Sequence, residues 1–96
     1  MRKLEWTGPA RSDLKAIDSW LTREANPQIA APQLIAIRER ANFLLDFPEG
    51  EPILPELAAR TLRVPGTPYR LCYRLLDSGS IQILRVYHVR QDWRGA

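Results

Sequence analysis

Three segments in the last third of the chain are rich in β-branched and aromatic residues, and turn-forming residues separate them. Residues 61–64, 69–76 and 81–89 therefore predict three strands, because such side chains favour an extended backbone. The connections, residues 65–68 (PGTP) and 77–80 (DSGS), are typical of hairpin turns. A chain of 96 residues has room for one core, so these hairpins must form most of the sheet of a single domain.

The N-terminal half predicts a short strand followed by a helix. Residues 3–6 alternate polar and apolar side chains, as a half-buried strand does. Thr7 follows as a natural N-cap. From Ala10 to about Glu24 the apolar residues recur at intervals of three and four, which predicts one apolar stripe along a first helix.

A second helix is predicted to begin at Asn26 and Pro27, as a cap and a first-turn proline, and to continue to Pro48. Pro32 interrupts this pattern, since a proline inside a helix removes one hydrogen bond and clashes with the preceding turn. We therefore expect either a kink at Pro32 or a helix that begins near Ala31.

Residues 48–59 hold three of the eight prolines and predict an irregular connection between the helices and the hairpins. The element order is then β-α-α-β-β-β. This order predicts an α+β fold, in which two N-terminal helices pack on a largely antiparallel sheet of about four strands.

The basic residues are nearly all arginine, with only Lys3 and Lys15 as lysines among 14, and the net charge is +3. A guanidinium can hold two phosphate or carboxylate oxygens at once, so the composition favours phosphate or an acidic partner. Side chains alternate between the two faces of a strand, so Arg70 and Arg74 are predicted on one face of their strand, opposite a face of apolar and aromatic residues. That arginine face could line a basic groove.

Several classes of protein are not expected from this sequence. No apolar stretch approaches the ~20 residues that span a bilayer, and no signal peptide is evident, so a cytoplasmic protein with no membrane partner is expected. The single cysteine, Cys72, cannot form an internal disulfide. His88 is the one histidine, so a metal site is not expected, and nothing points to a cofactor.

Residues 62–74 (LRVPGTPYRLCYR) and 83–88 (ILRVYH), with the element order and the opening residues Trp6 and Thr7, resemble the RelE/ParE superfamily of bacterial toxins. The likeness covers almost the whole chain and implies one toxin domain over residues 1–96. It implies the toxin of a type II toxin–antitoxin system, which a small cognate antitoxin neutralises. The superfamily divides into members that cut mRNA on the ribosome and members that poison DNA gyrase.

The nuclease branch implies a catalytic set in which Glu51 is the base, His88 the acid, and Arg63, Arg70 and Arg90 contact phosphate. Under this interpretation the partners are the ribosome and mRNA, and His88→Ala should abolish RNA cleavage while antitoxin binding survives.

Three positions depart from the nuclease pattern. The tyrosine that follows the histidine in YoeB-like nucleases is Val89, no tyrosine follows Trp93, and an expected lysine is Thr61. Two of the usual catalytic contributors are therefore missing.

The gyrase-poisoning branch fits the C-terminus better. His88, Arg90 and Asp92 resemble the His-x-Arg-x-Asp ending of ParE-like toxins, a group tied to plasmid stabilization. This resemblance implies a gyrase inhibitor rather than an enzyme, with His88, Arg90 and Trp93 as candidates for target contact and Arg70 as a structural residue. A third possibility is a non-toxic remnant that only binds its antitoxin.

An acidic antitoxin segment would complement the basic face. The side chains expected to bind phosphate or such a partner are Arg63, Arg70, Arg74, Arg85 and Arg90. Two structural roles stay open beside these functional ones. Arg70 could close a salt bridge with Glu51 or Glu56, and His88 could be a hydrogen-bonded structural histidine.

Overall fold

Five strands and two helices make up the described part of the protein. The computed structural model describes residues 2–49, 51–54 and 59–90, with the backbone alone for 51–54. The helices are α1 (Gly8–Glu24) and α2 (Pro27–Phe43). The strands are β1 (Leu4–Trp6), β2 (Glu51–Leu54), β3 (Ala59–Arg63), β4 (Tyr69–Leu75) and β5 (Ile81–His88).

The strands form one sheet in the order β1-β5-β4-β3-β2, in which β1 runs parallel to β5 and every other pair is antiparallel. The predicted α+β fold and its largely antiparallel sheet are confirmed. The prediction of an irregular connection over residues 48–59 was wrong in part, because β2 pairs with β3 there. Proline lacks the N–H that a central strand needs, but an edge strand such as β2 tolerates Pro52.

Thr7 links the first strand to the first helix, as predicted. Its hydroxyl oxygen accepts a hydrogen bond from the Ala10 N–H at 3.2 Å and caps α1. The same hydroxyl donates to the Leu84 carbonyl at 3.0 Å, and the Thr7 N–H donates to the Ile83 carbonyl at 3.1 Å. The start of α1 is therefore fixed against β5.

Helix α2 begins at its predicted cap, where the Asn26 side chain accepts the Ile29 N–H at 3.1 Å. The alternative start near Ala31 was wrong, since Pro32 lies inside the helix. Pro32 has no N–H to donate to the Gln28 carbonyl, four residues earlier. Both residues are exposed, so water can satisfy that carbonyl. The helix ends at Phe43 rather than Pro48, because the chain tightens into turns from Leu44 onward.

Both helices pack on one face of the sheet and form the main core with it. Its fully buried side chains include Ile37 of α2, Leu71 and Tyr73 of β4, and Ile81 and Ile83 of β5. We call the opposite side of the sheet the outer face. A smaller buried cluster lies there, made of Ala59, Cys72 and Tyr87 with Leu84 against it. Within the described residues, neither helix combines the length and apolar character that crossing a membrane requires.

Candidate functional site

Arg63, Arg70 and Arg74 lie on the outer face, and the first two are neighbours. Arg63 of β3 stands directly opposite Arg70 of β4, and the Arg70 guanidinium donates to the Thr61 hydroxyl at 3.2 Å. Like charges directly opposite one another on neighbouring strands disfavour the pairing. Among the described residues no carboxylate pairs with either guanidinium. An anion between them would relieve the repulsion, so binding of phosphate or an acidic segment at this pair stays a prediction.

Arg85 pairs with Cys72 in the same sheet, but its side chain contacts α1. Its guanidinium donates to both carboxylate oxygens of Asp13 on α1, at 2.8 and 3.0 Å, and Asp13 also accepts the Val86 N–H at 2.9 Å. This hydrogen bonding raises the pKa of Arg85 further above its ordinary value. Arg85 therefore joins β5 to α1, and its predicted role in anion binding stays untested.

His88 lies on the helix-facing side of the sheet. Its ring meets the buried Tyr69 ring edge-on, with 5.8 Å between centroids, and its Nδ1 accepts the Arg90 N–H at 3.1 Å. Arg90 itself is exposed. Trp93 lies outside the described residues, as do Asp92 and the side chain of Glu51. The proposed salt bridge between Arg70 and Glu51 or Glu56 falls outside them too.

Arg70 and His88, the phosphate-binding cation and the acid of the predicted nuclease set, leave the sheet on opposite faces. In the β4–β5 ladder His88 pairs with Tyr69, whose side chain lies in the main core, whereas Arg70 pairs with Tyr87 on the outer face. A general acid and a phosphate-binding cation must both reach the same phosphate. The sheet does not bring Arg70 and His88 together in this way.

A groove of about 420 Å³ lies between α1 and the end of β5. We call it the α1–β5 groove, and its lining residues are Asp13, Ala16, Ile17, Trp20, Arg23, Tyr69, Val86 and His88. Trp20 and Arg23 were not among the residues predicted from the sequence. The signal was present, because Asp13, Trp20 and Arg23 follow helical spacing beside the main apolar stripe of α1.

Cys72 is fully buried on the outer face. Burial raises the pKa of its thiol to about 11, although the nearby Arg85 and Arg74 guanidiniums act in the lowering direction. The thiol is therefore protonated at neutral pH and unsuited to nucleophilic chemistry, which requires the thiolate.

Alkaline pH is expected to destabilise the fold partly through Cys72. The unfolded thiol ionises near 9.0 and the folded thiol near 11. Its contribution to the free energy of unfolding is therefore complete below pH 9 and falls as the pH rises, by at most about 3 kcal/mol. Urea unfolding of the wild type and Cys72→Ala at about pH 8 and about pH 10.5 should show a smaller decrease for the variant. Equal decreases in the free energy of unfolding of the two proteins would contradict a raised pKa of the Cys72 thiol.

A family model described as ParE toxin of type II toxin–antitoxin system, parDE, matches residues 4–93. No curated protein sequence matches the chain. The chromosomal ParDE system of P. aeruginosa contains a chain with 29% sequence identity and a TM-score of 0.79, over 92% of this chain and 96% of that one.

Two RelBE structures are also similar. The toxin–antitoxin complex RelBE2 of Mycobacterium tuberculosis matches with 34% identity and a TM-score of 0.65, over 91% of this chain and 96% of that one. The intact RelBE toxin–antitoxin complex of E. coli matches with 14% identity and a TM-score of 0.61, over 95% of this chain and 100% of that one. At that identity the E. coli structure supports the fold alone.

Proposed function

The chain belongs to the ParE toxin family of type II toxin–antitoxin systems, and from that premise we propose that it inhibits bacterial growth by poisoning DNA gyrase. A cognate antitoxin neutralises it in the cytoplasm. The observation that carries the proposal is the ParE family match over residues 4–93, and the similarity to a ParDE chain agrees with it.

The geometry of the sheet favours a binding toxin over a ribonuclease. Arg70 and His88 project from opposite faces, so the phosphate ligand and the acid of the nuclease interpretation do not converge. The Arg70 guanidinium donates a hydrogen bond to the Thr61 hydroxyl on the neighbouring strand. Cys72 does not supply an alternative nucleophile, because its thiol is protonated at neutral pH.

The segment that begins at His88 carries the proposed contact with gyrase. His88 is partly exposed and Arg90 is exposed, and the hydrogen bond between the Arg90 N–H and His88 Nδ1 shapes the turn after β5. Trp93 follows three residues later in the sequence. Arginine and tryptophan are the side chains most often found at the centres of protein interfaces.

A gyrase cleavage assay tests the mechanism directly. Purified chain, gyrase, ATP and supercoiled plasmid are incubated and then treated with detergent and protease. We expect linear plasmid to accumulate with increasing chain, because a poison traps the cleaved DNA–gyrase complex, and the antitoxin should prevent it. Failure to produce linear DNA at any concentration would reject gyrase as the target.

Induction of the chain alone in bacteria tests the same proposal in cells. Early DNA breaks and an SOS response are expected while translation continues. Prompt translation arrest with codon-positioned mRNA cuts would instead favour the ribosome-dependent nuclease. Normal growth with a folded chain present would indicate a non-toxic remnant that only binds the antitoxin.

A further inference from the structure

Hydrogen bonds at two consecutive residues hold the turn after β5. The Val89 N–H donates to the Pro68 carbonyl, in the connection between β3 and β4, at 2.8 Å. The Arg90 N–H donates to Nδ1 of the His88 ring at 3.1 Å. The first bond ties the turn to the sheet, and the second sets the direction in which the chain leaves it. The placement of the Arg90 side chain therefore depends on one imidazole nitrogen.

The His88 ring is oriented by its contact with the core. It meets the Tyr69 ring edge-on, with 5.8 Å between centroids, and Tyr69 is only 4% exposed. Burial raises the pKa of the Tyr69 phenol, so this neighbour stays neutral at physiological pH. His88 itself is partly exposed, so protons from solvent reach its ring.

The hydrogen bond to Arg90 requires a neutral imidazole. A nitrogen that accepts a hydrogen bond carries no proton, so the neutral His88 ring carries its proton on Nε2. A protonated ring donates from both nitrogens and cannot accept the Arg90 N–H. Protonation of His88 therefore breaks the bond that directs Arg90.

The other charged groups around the ring belong to different residue types. From α1, Asp13 and Arg23 line the same groove as His88, and Asp13 already accepts the Arg85 guanidinium at 2.8 Å. Arg90 follows on the C-terminal side. Histidine is the only one of these types that ordinarily titrates between about pH 5 and pH 8. A change in the turn over this range therefore reports on His88.

We propose that His88 is a positioning residue for gyrase poisoning: its neutral ring accepts the Arg90 N–H and directs the Arg90 side chain toward gyrase, and protonation of the ring releases it. This inference rests on the proposed function and assigns the contact itself to Arg90. The toxin is then most potent while His88 is neutral and loses potency as the pH falls.

Two substitutions separate the acceptor from the ring. His88→Asn replaces the ring with a side-chain oxygen that can accept the N–H two residues on, as asparagine does in an Asx-turn. It has no titrating group, so it is the matched control for pH. His88→Phe keeps a ring against Tyr69 but has no acceptor for the Arg90 N–H.

Amide exchange tests the hydrogen bond without gyrase. The exchange rate of the Arg90 N–H is measured by NMR on the full chain and divided by that of the Val89 N–H, which keeps its bond to Pro68 and cancels the ordinary effect of pH. We expect this ratio to rise about fivefold in His88→Phe, and to rise in the wild type between about pH 8 and about pH 6. In His88→Asn it should stay low at both.

Gyrase cleavage tests the consequence for the target. At about pH 8 the concentration of chain that gives half-maximal cleavage should rise about fivefold for His88→Phe and stay within about twofold for His88→Asn. At about pH 6 the wild type should lose potency relative to His88→Asn, which corrects for the effect of pH on gyrase itself.

The contrary outcomes separate this inference from the proposed function. Arg90 exchange that is unchanged in His88→Phe and at low pH would show that His88 does not hold the turn. If His88→Asn keeps slow Arg90 exchange but poisons as weakly as His88→Phe, the ring itself contacts gyrase and the inference is overturned. If His88→Asn does not restore slow exchange, wild-type potency relative to His88→Phe decides, and a value independent of pH rejects the inference. A wild type that never traps cleaved DNA rejects the proposed function, while the exchange results still report on the hydrogen bond.

Discussion

Asp13→Ala is expected to lower the free energy of unfolding by about 3 kcal/mol, because one carboxylate joins α1 to β5. The variant loses two charge-assisted hydrogen bonds from Arg85, at 2.8 and 3.0 Å, and leaves the Val86 N–H without its acceptor at 2.9 Å. Arg85 is 44% exposed, so water recovers part of the ion-pair energy. Most of the lost stability comes from the backbone N–H of Val86, because this residue is only 2% exposed and its N–H is left without a hydrogen-bond acceptor.

Two further variants separate the charge of Asp13 from its hydrogen bond. Asp13→Asn keeps an oxygen that can accept the Val86 N–H but loses the charge, so a decrease of only about 1 kcal/mol is expected. Asp18→Ala removes an exposed carboxylate of the same helix, which accepts a hydrogen bond from the Thr22 hydroxyl at 3.3 Å, and should change stability by about 0.5 kcal/mol or less. Urea unfolding measures all three. An Asp13→Ala variant as stable as Asp18→Ala would show that the carboxylate does not hold α1 to β5.

Local signals were sufficient to predict most of the fold. Thr7 and Asn26 cap the two helices as their residue types indicated, and the turn residues of the two hairpins separate the three predicted strands. The strand β2 was not predictable in the same way. Its Pro52 argues against a strand unless the strand lies at an edge, and which strand lies at the edge depends on the assembled sheet.

The candidate site was less predictable, because a β-bulge changes the alternation of side chains along β5. Cys72 pairs with Arg85 but Tyr73 pairs with Ile83, so β5 contains one extra residue at this point. Ile81 and Ile83 face the core, and an unbroken alternation would place Tyr87 with them.

The bulge instead turns Val86 and His88 toward the helices and sends Tyr87 to the outer face. Asp13 accepts the Val86 N–H just after the bulge, and its hydrogen bonds to Arg85 hold the same stretch of β5. The separation of His88 from Arg70 therefore depends on a bulge and on a contact with α1. Neither feature can be inferred from the spacing of these residues in the sequence.

Arg90→Ala is expected to lose most gyrase poisoning, while Arg70→Ala keeps it. Arg90 is exposed and donates to His88 through its backbone N–H, so truncating the side chain leaves the fold intact. An arginine at the centre of an interface contributes about 2–3 kcal/mol, so the concentration of chain that gives half-maximal DNA cleavage should rise about 30- to 150-fold. Arg74→Ala is the matched control, since it removes another exposed arginine from the outer face.

Arg70 decides between the two mechanisms, because both interpretations involve Arg90 but only the nuclease needs a catalytic cation at Arg70. Its hydrogen bond to Thr61 is replaceable by water at this partly exposed position, so Arg70→Ala should cost little stability and leave cleavage by gyrase unchanged. Toxicity that is lost in Arg70→Ala and in His88→Ala alike, with both chains folded and bound by the antitoxin, would mean that the two side chains act together despite leaving opposite faces of the sheet. That result would overturn the gyrase mechanism in favour of RNA cleavage.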